Sequence, residues 1–367
     1  MIKVAVWGTG MMGQGLLDYI LDRPGQIELV GAIDADPARQ GSTVGDLLGR
    51  RCDVPVTGDA AAVLAREPEV VCICTRSNLD EVSDQVEAAV RAGANVLCTA
   101  ETLAYPWASD PDWAERFEDM AVEHDVSILG TGINPGFMLD ALIVAWSSVC
   151  LRIDRIEAQR INDLSPFGPT VMQSQGVGTT VEEFERGVAE GTIVGHIGFP
   201  ESIGLIADAI GWEIDEVVET REPIITNVPR ETPHVKVEPG DVCGCRHIGR
   251  GYSNGELKIE LVHPQQIHPH LEGVETGDYI TIIGDPEIHM STSPEVPGGK
   301  GTFASTGNYI PLIVDAPSGI LTVTDLPVPR FWAPAEQGVA QGVHLHRGAD
   351  SCTCANKGVS DDRPYPL

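Results

Sequence analysis

The sequence predicts an α/β protein, a doubly wound parallel sheet joined to a second, α+β unit. Three observations predict it. Apolar strand-like runs alternate with amphipathic helix-like runs through residue 135. A glycine-rich turn, Gly8-Thr9-Gly10-Met11-Met12-Gly13, joins the first such strand to the first such helix. Past Cys150 the pattern changes to longer strands of alternating polarity, broken by proline and glycine.

The opening segment organises the rest. Ile2–Trp7 reads as a buried strand running straight into the glycine turn. A helical pattern follows through Leu16, Leu17, Ile20 and Leu21 and stops at Pro24-Gly25. A second apolar strand, Glu28 to Ile33, ends on Asp34. This is the Rossmann-type order for binding a dinucleotide. Gly8 permits the tight turn, Gly10 the approach of a pyrophosphate, and Gly13 close packing of helix on strand. Thr9, Met11 and Met12 share that turn, whose free N–H groups face the phosphates. Asp34 stands where an acid takes the ribose hydroxyls. A carboxylate there favours NAD over NADP, and nearby Arg39 softens the preference, so both cofactors stay open. A tight turn without a ligand is the alternative.

The next elements follow in order. A weak strand is expected at Val54–Val56, a helix from Asp59 to Arg66, and a buried strand from Val70 to Cys74. The helix from Leu79 to Ala92 ends at Gly93. Asn95–Cys98 and Val126–Leu129 are further strands. Ligands of such sheets bind at the carboxyl ends of strands. Three loops therefore hold the chemistry. Thr75 and Arg76 lie in the first, Thr99 and Glu101 in the second, and Asn134 and Phe137 in the third.

The first domain is expected over 1–135, rejoined by a returning helix within 305–330, near Thr306 to Val314. The α+β substrate and dimerisation domain spans 136–304. Within it, Ile153 to Asn162 is a strand, Thr180 to Glu183 a capping box, and Pro200 to about Gly211 a helix. Val217 to Ile283 is mostly β, with a hairpin turn at Asn254-Gly255. Its sheet covers the cleft or builds a dimer. Residues 331–367 read as a loosely ordered tail.

Composition narrows the function. A hydrophobic fraction of 42% suffices for two cores, and the sequence has no apolar run long enough to span a membrane. The N-terminus reads as a core strand, not a signal peptide. Nine cysteines without a disulfide-like framework suit a reducing cytoplasm. A net charge of −30 excludes nucleic acid and anionic membrane as partners.

Glu101 leads the catalytic candidates. It follows a sheet strand in a loop otherwise small or apolar, and a carboxylate in such a cleft has its pKa raised towards neutrality. An exposed loop acid or a helix cap would occupy the same position. Asn134 is placed to fix the nicotinamide carboxamide or the substrate, although Asn-Pro-Gly also makes a simple turn. His196, between glycines, is a candidate for the cleft. His263, His268 and His270 sit among prolines and read as a surface loop. Neither their spacing, the Cys243-x-Cys245 pair, nor the His344, His346, Cys352 and Cys354 group matches a standard ligand set, so no metal is expected. Phe137, Trp146, Phe167 and Met172 are taken as the side chains that set pocket volume.

Several segments together resemble the 2,4-diaminopentanoate dehydrogenase family, with its related native amine dehydrogenases. They are Val4–Asp34, Thr99–Glu101 with Ala104–Pro106, Gly132–Phe137, and the run RINDLSPFGPTVMQSQGVGTTVEEFERG from Arg160 to Gly187. Gly195–Gly198 with Pro200–Ser202, and Asp325–Pro329, belong to the same set. The resemblance covers Met1 to about Arg330, and the tail departs from it. It implies a homodimer with a dihydrodipicolinate-reductase-like N-terminal domain. It also implies NAD(P)-dependent oxidative deamination of an amine, reversible as reductive amination of a ketone with ammonia. Glu101 is then the residue that acts on the amine. Arg160, Asn162 and Asp163 would recognise the amino-acid end of 2,4-diaminopentanoate, with a structural salt bridge equally open to Arg160. A carbonyl or imine reductase that uses no free ammonia, and a non-enzymatic NAD(H) sensor, remain as alternatives.

Overall fold

The computed structural model describes residues 1–335. The chain opens with β1 (Ile2–Trp7), α1 (Met11–Leu21), β2 (Ile27–Ile33), α2 (Val44–Leu48), β3 (Val56–Thr57) and α3 (Ala60–Leu64). β4 (Val70–Ile73), α4 (Leu79–Arg91), β5 (Asn95–Cys98), α5 (Pro111–Glu123), β6 (Ser127–Gly130) and α6 (Ala141–Ser147) follow. The second part comprises β7 (Arg152–Asp163), α7 (Pro169–Ser174), α8 (Val181–Ala189), α9 (Phe199–Ile210) and β8 (Glu216–Ile225). It continues through β9 (Arg230–Glu231), β10 (Lys236–Val237), β11 (Val242–Ser253), β12 (Glu256–Gln266), β13 (Gly277–Asp285) and β14 (Ile288–Thr292). α10 (Gly298–Ile313) and β15 (Gly319–Leu321) close it.

Seven strands form one parallel sheet in the order β15-β6-β5-β4-β1-β2-β3. The order reverses between β1 and β4, which opens a crevice at their carboxyl ends. One face buries Leu16, Leu17 and Ile20 of α1 with Tyr309, Ile310 and Ile313 of α10. The other buries Val82, Val86, Ala89 and Val90 of α4 with Phe117 of α5. The glycine turn has the expected reason. A Cβ on Gly13 would stand 1.8 Å from the carbonyl oxygen of Gly8, so no other residue lets α1 start so close to β1.

The second sheet is mixed, in the order β14-β13-β7-β12-β11-β8. Ile156, Ala158, Ile259, Leu261, Ile280 and Ile282 on one of its faces pack against α6 and α9. Asn254 and Gly255 both take positive φ and turn β11 into β12. Thr180 and Glu183 form the expected capping box at the start of α8.

The structure departs from expectation in three places. Only Val56–Thr57 forms a strand near Pro55, whose ring nitrogen cannot donate to a ladder. The closing helix begins at Gly298, not near Thr306. Its glycines hide it from propensity, yet they let it lie against Ile133 and Met12. Residues 331–333 are not loose. Arg23 Nε donates to Trp332 O at 2.9 Å, Gln26 Nε2 to Ala333 O at 3.1 Å, and Trp332 N to Asn308 Oδ1 at 2.9 Å. The expectations for the rest of the tail, including His344, His346, Cys352 and Cys354, lie outside the described residues.

Candidate active site

The site lies where loops at the carboxyl ends of β4, β5 and β6 meet the six-stranded sheet. A cleft of about 340 Å³ is lined there by Met12, Thr75, Arg76, Ser77, Thr99, Glu101, Asn134, Arg160, Asn162, Phe167, His196, His263, Gln265 and Thr302, among others. A larger hollow, about 630 Å³, lies between α9 and β8 away from this chemistry. Volume points to the hollow. The convergence of polar groups at strand ends points to the cleft, and it decides.

Glu101 is the first residue of a 3₁₀ turn, Glu101–Ala104. The next residue locks that turn in place. Thr102 Oγ1 accepts from Leu79 N at 2.7 Å, doing at the start of α4 what Asn78 does not. Gly130 at the end of β6 packs directly on the backbone of Leu103. Burial pushes the Glu101 carboxyl up to about 7, and the Glu201 carboxylate adds to the rise. A hydrogen bond from Ser77 and one from its own backbone N–H hold it from going higher. A carboxyl near 7 exchanges protons readily at neutral pH. Glu201 is itself buried and raised to about 6, held by Ser109.

Three histidines stand in or behind the cleft. Asn134 Nδ2 donates to His196 Nε2 at 3.1 Å, leaving Asn134 Oδ1 buried without a partner. The His196 ring meets Phe199 and His263 edge-on, with centroids 4.9 and 5.0 Å away. His247 Nδ1 accepts from His196 N at 3.0 Å, and its Nε2 lies 2.9 Å from Glu219 Oε2. Burial holds His196 well below its ordinary value and brings His263 down to about 3, with Arg160 adding to both. Both rings are neutral at physiological pH.

His263 corrects an expectation. It is not in a surface loop but in β12, 4% exposed, with His268 and exposed His270 beyond the strand. The ladder to β7 pairs Val262 with Gln159 and resumes at Gln265 with Asn162, lapsing at His263-Pro264. The carbonyl of Arg160 is there taken by His263 Nδ1–H at 2.6 Å. The proline that suggested a loop marks a lapse inside a strand.

The cofactor candidates gather on the other side. Asp34 accepts from Thr9 N at 2.7 Å, Thr9 Oγ1 at 2.6 Å, Asp36 N at 2.8 Å and Arg39 Nη1 at 3.0 Å. Burial would raise its carboxyl, but these bonds outweigh it and hold it at about 2. Thr9 is thereby a fastener between the glycine turn and β2. The groove fits a dinucleotide. No atom stands within 4 Å of a Cβ built on Gly10, and no side chain caps α1, so its first N–H groups are free for a phosphate.

Of the predicted pocket side chains, Phe167 lines the cleft and three others do not reach it. Phe137 borders a separate hollow with Tyr309, Val323 and Leu326. Trp146 is 42% exposed on α6. Met172 is buried with Leu164, Val177, Val237 and Ile267, because on the short α7 its neighbour Val171 takes the cleft-facing position. Arg160 is 2% exposed and paired with Asp278, and it also donates to Val296 O. Asp163 points to the opposite sheet face, where it accepts from Ser165 and the backbone N–H of His268. It approaches His268 and His270 there, but both ring nitrogens of His268 already meet Ser165 and Glu231 O. Sequence reasoning missed Ser77, Gln265 and Thr302. The first was legible as a strand-end loop residue, but Gln265 and Thr302 are recruited by tertiary packing alone.

Comparison with known proteins gives a consistent result. The model of the 2,4-diaminopentanoate dehydrogenase C-terminal domain matches residues 137–341. That of an oxidoreductase family with an NAD-binding Rossmann fold matches 2–130. The 2,4-diaminopentanoate dehydrogenase of Acetoanaerobium sticklandii is 45% identical over 334 residues, 90% of this chain and 94% of the relative. An amine dehydrogenase of Streptomyces virginiae is 27% identical, covering 89% of this chain and 97% of its own. The solved structure of an amine dehydrogenase from Mycobacterium smegmatis superposes with a TM-score of 0.80 at 27% identity, covering 90% of this chain and 97% of that one.

Proposed function

This chain belongs to the 2,4-diaminopentanoate dehydrogenase family, and from that membership we propose NAD(P)-dependent oxidative deamination of 2,4-diaminopentanoate or a close homologue. The reaction runs in reverse as reductive amination of the ketone with ammonia. The observation that carries this reading is Glu101, a carboxyl poised at about 7 in a cleft beside the dinucleotide groove.

Glu101, once ionised, takes a proton from the substrate ammonium, so that the nitrogen lone pair can expel hydride from the adjacent carbon. When bound, the nicotinamide supplies the hydride acceptor. Glu101 releases that proton to solvent, then removes one from the water that adds to the iminium and returns it to the departing ammonia. The balance is substrate ammonium, water and oxidised cofactor to ketone, ammonium, reduced cofactor and one proton. Ser77 orients the carboxylate. The Gly8–Gly13 turn and the start of α1 would hold the pyrophosphate, Asp34 and Arg39 the ribose end, and Thr75, Arg76 and Thr99 the strand-end side of the groove. Asn134, fixed by His196, stands at the nicotinamide side.

The working unit proposed is a homodimer. The face of the six-stranded sheet turned away from α6 and α9 presents Gln159, Ile161, Tyr279 and Ile283 beside the Arg246–Glu222 and Arg250–Glu260 ion pairs. A second copy would cover that face. Light scattering should give twice the 39.2 kDa chain mass, and Tyr279→Glu should halve it. No helix among the described residues is long and apolar enough to cross a membrane, and a cytoplasmic setting is proposed with the dimer.

The deciding experiment follows NADH and NADPH oxidation with 2-amino-4-oxopentanoate, with and without ammonium. Strict ammonium dependence is expected. Oxidation without ammonium would replace the reading with a carbonyl or imine reductase.

A further inference from the structure

Each turnover leaves Glu101 with a proton to discharge while amine and dinucleotide fill the cleft in front of it. Behind it packs the start of α9. A Cβ built on Gly198 would stand 3.6 Å from the Cβ of Glu101. Ser202 N donates to Gly198 O at 2.9 Å, which closes a first helical turn that contains Glu201, only 2% exposed. The charges that act on Glu201, those of Glu219 and Asp110, are both acidic. Glu219 is already held by His247 and Arg221. A buried acid without a counter-charge is costly to keep. The start of α9 and the Ser109 hydroxyl that donates to it offset part of that cost.

On the far side lies the hollow of about 630 Å³ between α9 and β8. Ala108, Pro200 and Gly204, chain neighbours of Ser109 and Glu201, line it. Exposed Asp208, Glu213 and Val217 open it to solvent. Glu201 therefore stands between the base and a second opening of the molecule. The other titratable groups around Glu101 are poor carriers of its proton. His196 and His263 are held far below neutrality by burial, and burial pushes the Cys98 thiol up to about 12. Glu201, raised by burial to about 6, is matched to Glu101 at about 7.

We propose that Glu201 acts through Glu101, relieving it of the substrate's proton and passing that proton to solvent in the hollow between α9 and β8. An N–H bond of the substrate ammonium breaks to Glu101, and the Glu101 O–H bond then breaks to the Glu201 carboxylate. Water or buffer takes the proton from Glu201, and both carboxylates are regenerated without any transfer of electrons. The proposal rests on the amine dehydrogenase reading above and deepens it.

The test follows NADH formation from 2,4-diaminopentanoate and NAD at pH 8, by stopped flow and in the steady state, for wild type and Glu201→Gln. The glutamine still accepts from Ser109 but carries no exchangeable acid proton. The first turnover is expected at the wild-type rate, since Glu101 begins it ionised. Later turnovers should be at least ~10-fold slower, and added imidazole, small enough for the hollow, should restore them at least ~3-fold. Later turnovers near the wild-type rate and indifferent to imidazole would overturn the relay and leave the dehydrogenase standing. A first turnover slowed as much as the later ones would also overturn it, because Glu201 would then only shape the site. No NADH from wild type would overturn the dehydrogenase reading and the relay together. If Glu201→Gln does not fold, Ser109→Ala decides. Loss of that donor strengthens Glu201's hold on its proton, so later turnovers should slow with the same imidazole rescue.

Discussion

Arg39 Nη1 lies 3.0 Å from Asp34 Oδ2, so the acid at the end of β2 carries its own counter-charge. An unpaired acid there would repel a 2′-phosphate, whereas this pair offers one a guanidinium. Arg39→Ala is expected to raise KM for NADPH at least ~10-fold, with less than ~3-fold change for NADH, because charge-assisted contacts to phosphate are the strong ones. Initial rates with the two cofactors check this, and an equal effect on both would mean the pair only braces the loop.

Removing the base should stop chemistry and spare binding. For Glu101→Gln, kcat is expected to fall at least ~100-fold, while NADH affinity by fluorescence titration stays near wild type. Near-normal turnover would sink the assignment of Glu101.

The same group dictates the pH response. Amine oxidation needs ionised Glu101, so kcat/KM should climb with pH through about 7. Stability runs the other way. The folded pKa is raised above the ordinary 4.5, so what the group contributes is fully present below that value and lost as pH rises through about 7. Glu101→Gln should therefore be more stable than wild type at pH 8, by roughly 1–3 kcal/mol, and the gap should close towards pH 5. Thermal melts across that range measure it, and a constant gap would contradict the coupling.

Asp140 is a structural counterpart. Fully buried, it accepts from Gly136 N at 2.7 Å, Ala141 N at 2.6 Å and Ser202 Oγ at 3.0 Å, tying the Asn134 loop to α6 and α9. Burial raises its carboxyl and these three bonds oppose the rise. Asp140→Ala should cost about 2–4 kcal/mol by orphaning three buried donors, and Asp140→Asn less, since its amide oxygen still accepts. Chemical denaturation would reveal the ranking, and equal losses would refute it.

What was legible in the sequence was local. The glycine turn, Asp34, Gly93, the Thr180–Glu183 box and the Asn254-Gly255 hairpin each follow from backbone chemistry within a few residues. Glu101 was legible because strand ends of such sheets carry the chemistry. Side-chain direction was not. Phe137 and Met172 sit one residue from positions that face other ways, and a helix or strand decides such parity only once it is packed. His263 was misread because proline suggested a loop, where β12 instead tolerates it at a lapse in pairing. Gln265 and α10 join the site through contacts made across more than a hundred residues, which no local pattern encodes.

The seven-stranded sheet is finished by β15, and the apolar side of α1 is covered by α10. On a ribosome these pieces arrive late. At roughly 5–20 residues per second, β15 emerges on the order of 10–40 s after β6. Through that interval β6 is an open edge, and Leu16, Leu17 and Ile20 lack part of their cover. The nascent cofactor-binding half is thus committed to a wait, and residues 1–135 expressed alone are expected to aggregate.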